Sequence, residues 1–461
     1  MKFRAEDLSL SDIRLSIDLD DHPIFEGHRP QSATLSIAGG HSSVEAATTN
    51  VPQPELRYGV ASTLGKVIST GSLPTLIGRG SNFELEFENS WVSCSENIPD
   101  RTKTFTFSPN RTRIKAFKSD FPAHESVVIF KGNLDALNYY SIENNFLSEP
   151  ADKTFRRFSG IILQINGAVA FLLKSPERIS KRKDLVVLLV SDSIDEAFPG
   201  TFASFISFLL GGNLKPLELR HYGEASQLLR SVHYQHKDSD CPVSLLQSRS
   251  LIPYAKMSNY VKDIGAAVSS LLEEYLALRN TLALDQFVGL ANASNLLPFY
   301  LQIHPLATAM DLIANSWFQS VSTESGGTWI DDQEFSRVLE AVAPPLKNAL
   351  YSLENGEKVW SRIQSSNRFG TTLRIPRFLD EIGISLSKKE QRILKFRNGA
   401  IHGSLHTTKS KQEQFQLTWG YYALIARTFL RLLGYTGLYI DYSTLDFPIR
   451  NIDEPLGLDH S

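Results

Sequence analysis

Residues 161–173 read IILQINGAVAFLL, two apolar runs separated by Asn166-Gly167. An Asn-Gly pair supplies the two positive φ angles of a type I′ turn, so the stretch predicts a β-hairpin. Working outward, Phe83, Leu85 and Phe87 alternate with Glu84, Glu86 and Glu88. That period of two gives one buried and one wet face, the signature of an antiparallel strand. Lys103 to Phe107, Ser126 to Phe130 and Leu185 to Val190 are β-branched or aromatic runs bounded by turn formers, and they predict further strands.

The period changes near residue 255. Tyr260, Ile264, Val268, Leu271, Leu272 and Tyr275 fall at helical spacing, as do Leu306, Met310, Ile313 and Trp317. Ser387-Lys-Lys-Glu390 is a capping box that starts a helix at Lys388. A further helix is expected from about Gln414 to Leu433, closed by Gly434, with Leu417, Tyr421, Leu424, Ile425, Thr428 and Leu432 on one stripe. The fold class expected is therefore α+β: a β-rich N-terminal domain over residues 1–250, built as a sandwich or twisted mixed sheet, followed by a helical bundle over 251–461. Ser322 to Gly327 reads as an exposed loop within the helical part.

A chain of 461 residues with 42% hydrophobic and 21% charged residues has room for two or three cores and excludes wholesale disorder. Only Cys94 and Cys241 occur, which excludes a disulfide framework and Cys-rich zinc sites and fits a reducing compartment. The opening MKFRAEDLSLSD lacks the apolar run of a secretory signal, and the longest apolar segments are too short or interrupted to span a bilayer, so a cytoplasmic location and no membrane partner are expected. No phosphate-binding G-x-x-x-x-G-K-[ST], dinucleotide G-x-G-x-x-G or hydrolase G-x-S-x-G pattern is found.

Charge is uneven. Residues 361–415 hold 11 Lys+Arg against 4 Asp+Glu, a net of +7, so the remainder sums to −10 within a total of −3. Such a block is either a solvated helix face or a surface for phosphate. Inside it lies Phe396-Arg397-Asn398-Gly399-Ala400-Ile401-His402-Gly403, near the end of the helix capped at Ser387.

Arg followed by a polar residue, three more and then His, on a helix of a helical C-terminal domain, resembles the HEPN superfamily of metal-independent ribonucleases and related nucleotide-binding domains. With a β-rich half ahead of it, the chain looks more narrowly like the ApeA-type abortive-infection proteins of bacteria. The resemblance covers about residues 295–435 and implies an RNA-cutting effector of antiphage defence. It further implies a homodimer whose two motifs share one cleft, with no cofactor and no metal. The N-terminal domain would sense a trigger, a phage-derived one on this reading.

The residues fit that chemistry. RNA cleavage without a metal needs a base for the 2′-OH, an acid for the departing 5′-oxygen and a cation for the charged phosphorane. His402 can act as base or acid, Arg397 as the phosphate clamp, and Asn398, one turn from His402, as its orienting partner. Arg392 and Lys395 are the expected RNA-binding cations. One His per chain cannot be both acid and base unless water takes one role, which a two-fold dimer would solve. At a helix C-terminus the macrodipole favours the imidazolium of His402. Gly399 inside a helix costs about 1 kcal/mol relative to Ala and lets the last turn loosen. The alternative is a non-catalytic module of the same kind that binds nucleotides or proteins.

Other candidates are weaker. Arg230 and His236 repeat the spacing, but Ser231 to Cys241 reads as a polar loop. His233, His236, Asp238, Asp240 and Cys241 are the one grouping that resembles metal ligands, with spacing poor for zinc. His406 reads as a second phosphate contact or a solvent-exposed residue, Lys181-Arg182-Lys183 as a charged turn, and Trp317, Trp360 and Trp419 as core.

Overall fold

The computed structural model describes residues 13–19, 32–38, 41–49, 76–79, 83–88, 91–97, 102–108, 111–116, 123–143, 157–175, 184–223, 227–234, 249–254, 264–299, 301–320, 328–368, 370–401, 410–444 and 446–457. Strands and helices are both present, and the fold is α+β. The chain divides into two compact units, the first comprising Met1–Ser207, Gly211–Pro242 and Val261–Ser269, the second Phe208–Leu210, Val243–Tyr260 and Ser270–Ser461.

The first unit is built on a hydrogen-bonded series of strands. In chain order they are β1 (Ile13–Leu19), β2 (Ser32–Ala38), β3 (His41–Thr49), β4 (Leu76–Arg79), β5 (Phe83–Glu88), β6 (Trp91–Asn97), β7 (Thr102–Ser108) and β8 (Arg111–Ala116). There follow β9 (Glu125–Lys131), β10 (Ser141–Glu143), β11 (Arg157–Ile165), β12 (Ala168–Lys174), β13 (Leu185–Val190), β14 (Lys215–Tyr222) and β15 (Leu228–Tyr234). Their order in space is β10-β11-β12-β13-β9-β14-β15-β8-β5-β4-β1-β2-β3-β7-β6. Every pairing among the described residues is antiparallel, where the sequence left a mixed sheet open.

The hairpin closes as its Asn-Gly pair requires. Ile165 faces Ala168 across a two-residue loop, with φ of +51° at Asn166 and +82° at Gly167. In β5, Leu85 and Phe87 are fully buried while Glu86 and Glu88 turn to Arg113 of β8, so the alternation seen in the sequence is the division between core and charge. The helix α1 (Phe198–Leu210) begins in this unit, where the Phe202 ring lies 5.9 Å from that of Phe130 on β9.

Where the sequence suggested a polar loop from Ser231, β15 instead runs to Tyr234. Ser231 and His233 are buried, because directly paired strand residues share a face and His233 lies opposite Glu218 of β14. Arg220 donates to both oxygens of Glu218 at 2.7 and 2.9 Å, and this pairing lets three polar side chains sit in a sheet interior.

The second unit contains most of the helices. They are α2 (Ile264–Leu278), whose first turns belong to the first unit, α3 (Leu284–Ser294), α4 (Ile303–Ser320), α5 (Asp332–Tyr351), α6 (Gly356–Gln364), α7 (Thr371–Glu381), α8 (Lys388–Ile401) and α9 (Lys411–Leu432). A two-stranded ribbon, β16 (Leu438–Ile440) with β17 (Ile449–Asn451), follows. The stripe expected on α9 is buried at Leu417, Tyr421, Leu424, Ile425, Thr428 and Leu432, and Gly434 takes a φ of +68° just beyond the helix. At the start of α9, Ser410 caps the helix by accepting from Glu413 N at 3.1 Å. Phe429 stacks on Phe287 at 5.9 Å and meets Phe208 edge-on at 5.0 Å, which places the aromatic core of the unit on α9. Trp360 is buried, while Trp317 and Trp419 are half-buried. Tyr260, Lys181 to Lys183 and Ser322 to Gly327 lie outside the described residues.

Candidate functional site

Helix α8 starts where its capping box puts it. Glu390 N donates to Ser387 Oγ at 3.2 Å, and Ser387 N donates to Glu390 Oε2 at 2.7 Å. The other oxygen of Glu390 turns inward, where it accepts from Arg427 Nη1 at 2.8 Å and Leu456 N at 3.2 Å. Arg427 is itself held by the carbonyls of Ile452 and Asp453. Glu390, Ile393, Phe396 and Arg397 form the buried face of α8, so this face carries a carboxylate near its start and a guanidinium near its end.

Arg397 points into the bundle, with its side chain 8% exposed. Its Nη2 donates to Asp311 Oδ2 of α4 in a short contact, and its guanidinium lies beside the fully buried Tyr421 hydroxyl of α9. Burial raises the Tyr421 pKa, against the opposing pull of Arg397, so the phenol stays protonated. Three helices therefore fix the motif arginine.

Asn398 lies in the same helix, which continues through Gly399 to Ile401. His402 and His406 lie outside the described residues, and the side chain of Asn398 is likewise undescribed. The structure thus brings Arg397 together with Asp311 and Tyr421. Arg392 and Lys395 are exposed on the outer face of α8, where Arg392 donates to Glu413 Oε1 at 2.7 Å.

The acids of the basic block are largely engaged. Glu390 pairs with Arg427, Glu413 with Arg392, and Glu381 with Arg377 at 3.7 Å while it also accepts from Trp317 Nε1 at 2.8 Å. Lys388, Lys389, Arg392 and Lys395 are exposed along α8, with Arg362 and Arg368 exposed elsewhere in the block. The positive excess faces solvent, and such a face attracts polyanions.

Sequence reasoning missed Asp311. The signal was present: Ala307, Ala314 and Phe318, which share its stripe on α4, are all buried, and an acid on a buried stripe demands a cation.

Of the metal-like grouping, His233 is buried on β15, and His236, Asp238, Asp240 and Cys241 lie outside the described residues. Among the described residues no group of three or more His, Cys, Asp or Glu side chains could hold a metal ion, and no helix is long and apolar enough to cross a membrane. No protein-family model, no curated protein and no solved structure matches the chain.

Proposed function

We propose that the protein is a metal-independent endoribonuclease of the HEPN kind, acting in the bacterial cytoplasm as an abortive-infection effector against phage. The observation that carries this reading is the row of exposed cations Lys388, Arg392 and Lys395 on α8, the helix that holds Asn398, four residues before His402 in the sequence. RNA lying along such a row would present its phosphates to the end of the helix. His402 would take the 2′-OH proton or protonate the departing 5′-oxygen as the 2′-oxygen attacks phosphorus and the P–O5′ bond breaks, leaving a 2′,3′-cyclic phosphate. A second copy would supply the other proton-transfer group by pairing through the helical region. Asp311 would hold Arg397 as a positioned cation for the phosphorane. The β-rich region, residues 1–250, would control the helical region, 251–461, in response to a phage-derived trigger.

A second reading, a nucleotide- or protein-binding module without catalysis, is favoured by one observation: the Arg397 guanidinium is buried against Asp311. In that case the cations bind and nothing is cut.

Incubation of the purified chain and of His402→Ala with total RNA in EDTA separates the two. Cleavage by the wild type alone, with 2′,3′-cyclic phosphate ends, is expected from the first reading. RNA left intact by both proteins, together with equal growth of phage-challenged cells expressing the wild type or His402→Ala, is the result the second reading requires and the first does not survive.

A further inference from the structure

Arg249, in the second unit, is 7% exposed, and its guanidinium carbon lies 3.8 Å from the Trp419 ring centroid, 5.1 Å from that of Tyr422 and 5.8 Å from that of Tyr442. Tyr442 is fixed in turn by its hydroxyl, which donates to Ser250 O at 2.8 Å. Aromatic rings attract the flat faces of a guanidinium, but they offer nothing to the N–H groups in its plane. The Nε and Nη2 atoms of Arg249 are buried and have no hydrogen-bond partner among the described residues.

Those two nitrogens form one edge of the guanidinium fork. Elsewhere in this molecule the same edge is filled, for Arg220 uses Nε and Nη2 to hold both oxygens of Glu218. The electrostatics diverge accordingly. Burial works against the charge on both side chains, but Glu218 outweighs it and holds the Arg220 pKa above its ordinary value, whereas burial pulls that of Arg249 below it against the opposing influence of Tyr422 and Tyr442. A buried cation whose bidentate edge points at no acceptor is the half of an ion pair that lacks its anion.

One more group beside this arginine has no hydrogen-bond partner among the described residues, Trp419 Nε1. Phe447 stacks on Trp419 at 5.2 Å and 15°, is 40% exposed, and holds a left-handed φ of +44°, a conformation that costs a phenylalanine energy.

We propose that Arg249 binds a phosphate group on its Nε/Nη2 edge, in a site walled by Trp419, Tyr422 and Tyr442. Phosphate fits better than carboxylate because the unpaired indole N–H of Trp419 adds a donor for a third oxygen beyond the two that the fork holds. The phosphate is either free or carried by a nucleotide, whose base would add stacking on the exposed Phe447. The proposal rests on Arg249 and not on the α8 cations, and it holds whether or not the protein cuts RNA.

The test uses the intact chain at constant ionic strength, with inorganic phosphate, a nucleoside 5′-monophosphate and the same nucleoside without phosphate, read by titration calorimetry and thermal unfolding. Saturable binding of the phosphate-bearing probes, and none of the bare nucleoside, is expected for the wild type. Arg249→Lys, which keeps the charge and loses the fork, should bind at least about tenfold more weakly. Arg249→Met should not bind, and its circular dichroism reports whether it folds; if it does not, Arg249→Lys carries the test. Tighter binding of the monophosphate assigns a nucleotide, and equal binding assigns free phosphate. His402→Ala should bind like wild type even if it has lost all action on RNA. No saturable binding by the wild type, unchanged affinity in Arg249→Lys, or loss of binding in His402→Ala overturns the proposal.

Discussion

Glu390 is a carboxylate with no exposed surface, and it does three jobs: it closes the capping box of α8, pairs with Arg427 and accepts from Leu456 N. Removing one partner of a buried pair strands the other charge, so Glu390→Ala should lower unfolding stability by about 3–5 kcal/mol in urea titrations, and Glu390→Gln by less. The local half of this was legible in the sequence, since a capping box is a four-residue pattern; the pairing with Arg427 was not, because nothing within one turn of Glu390 identifies a partner 37 residues away. Arg397 gives the same lesson, its motif being readable and its partner Asp311 lying 86 residues earlier. In the first unit, His221 is fully buried and its Nδ1 lies 3.3 Å from Ser126 Oγ. Burial, helped by the nearby Arg230 charge, lowers its pKa from 6.5 to about 4, and burial lowers that of His233 too. With the folded pKa depressed, the unfolded chain takes up the proton first. Stability is therefore full above about pH 6.5 and falls as the pH drops toward 4, by about 3 kcal/mol from His221 in the limit. His221→Gln should flatten that part of a stability-against-pH curve measured by urea unfolding.

Among the elements, α5 and α9 are opposites. None of the described side chains of α5 is buried, and Pro344 and Pro345 sit in its interior, each removing one backbone donor and its bond four residues back. Its start is secured by Asp331, whose carboxylate accepts from Gln333 N at 2.8 Å and Glu334 N at 3.1 Å. By contrast, α9 is buried continuously from Tyr421 to Leu430. Local opening free energy follows burial, so amides of residues 333–351 should exchange with deuterium at least about a hundredfold faster than those of 421–430 in native-state exchange. Equal protection would mean that α5 is covered in solution. Elements with one clear period and a clear stop, such as the Ile161 to Leu173 hairpin and α9, were legible in the sequence. The misreading of Ser231 came from polar residues facing a sheet interior, where composition says loop and only a cross-strand partner says strand.

For the whole molecule, the sequence placed the change of period near residue 255, whereas the compact units interleave: the second takes Phe208–Leu210 and Val243–Tyr260 as well as the helices. Phe208 lies 6.4 Å from Phe287, 6.4 Å from Tyr422 and 5.0 Å from Phe429. A fragment spanning 251–461 lacks that ring and should be insoluble or molten when expressed alone, and in the intact chain Phe208→Ala should cost about 3–5 kcal/mol in chemical denaturation. Such interleaving is invisible to a composition scan, because three residues in the last turn of α1 carry no boundary signal. The strand order has a further consequence, for synthesis. Lys115 of β8 pairs with Arg230 of β15, so the neighbour of β8 on that side leaves the ribosome about 115 residues later. At about 5–20 residues per second, β8 presents an unsatisfied edge for about 6–23 s on a nascent chain. Translation speed between residues 116 and 228 thus becomes a determinant of yield, and slowing it prolongs the interval in which that edge can pair with another copy.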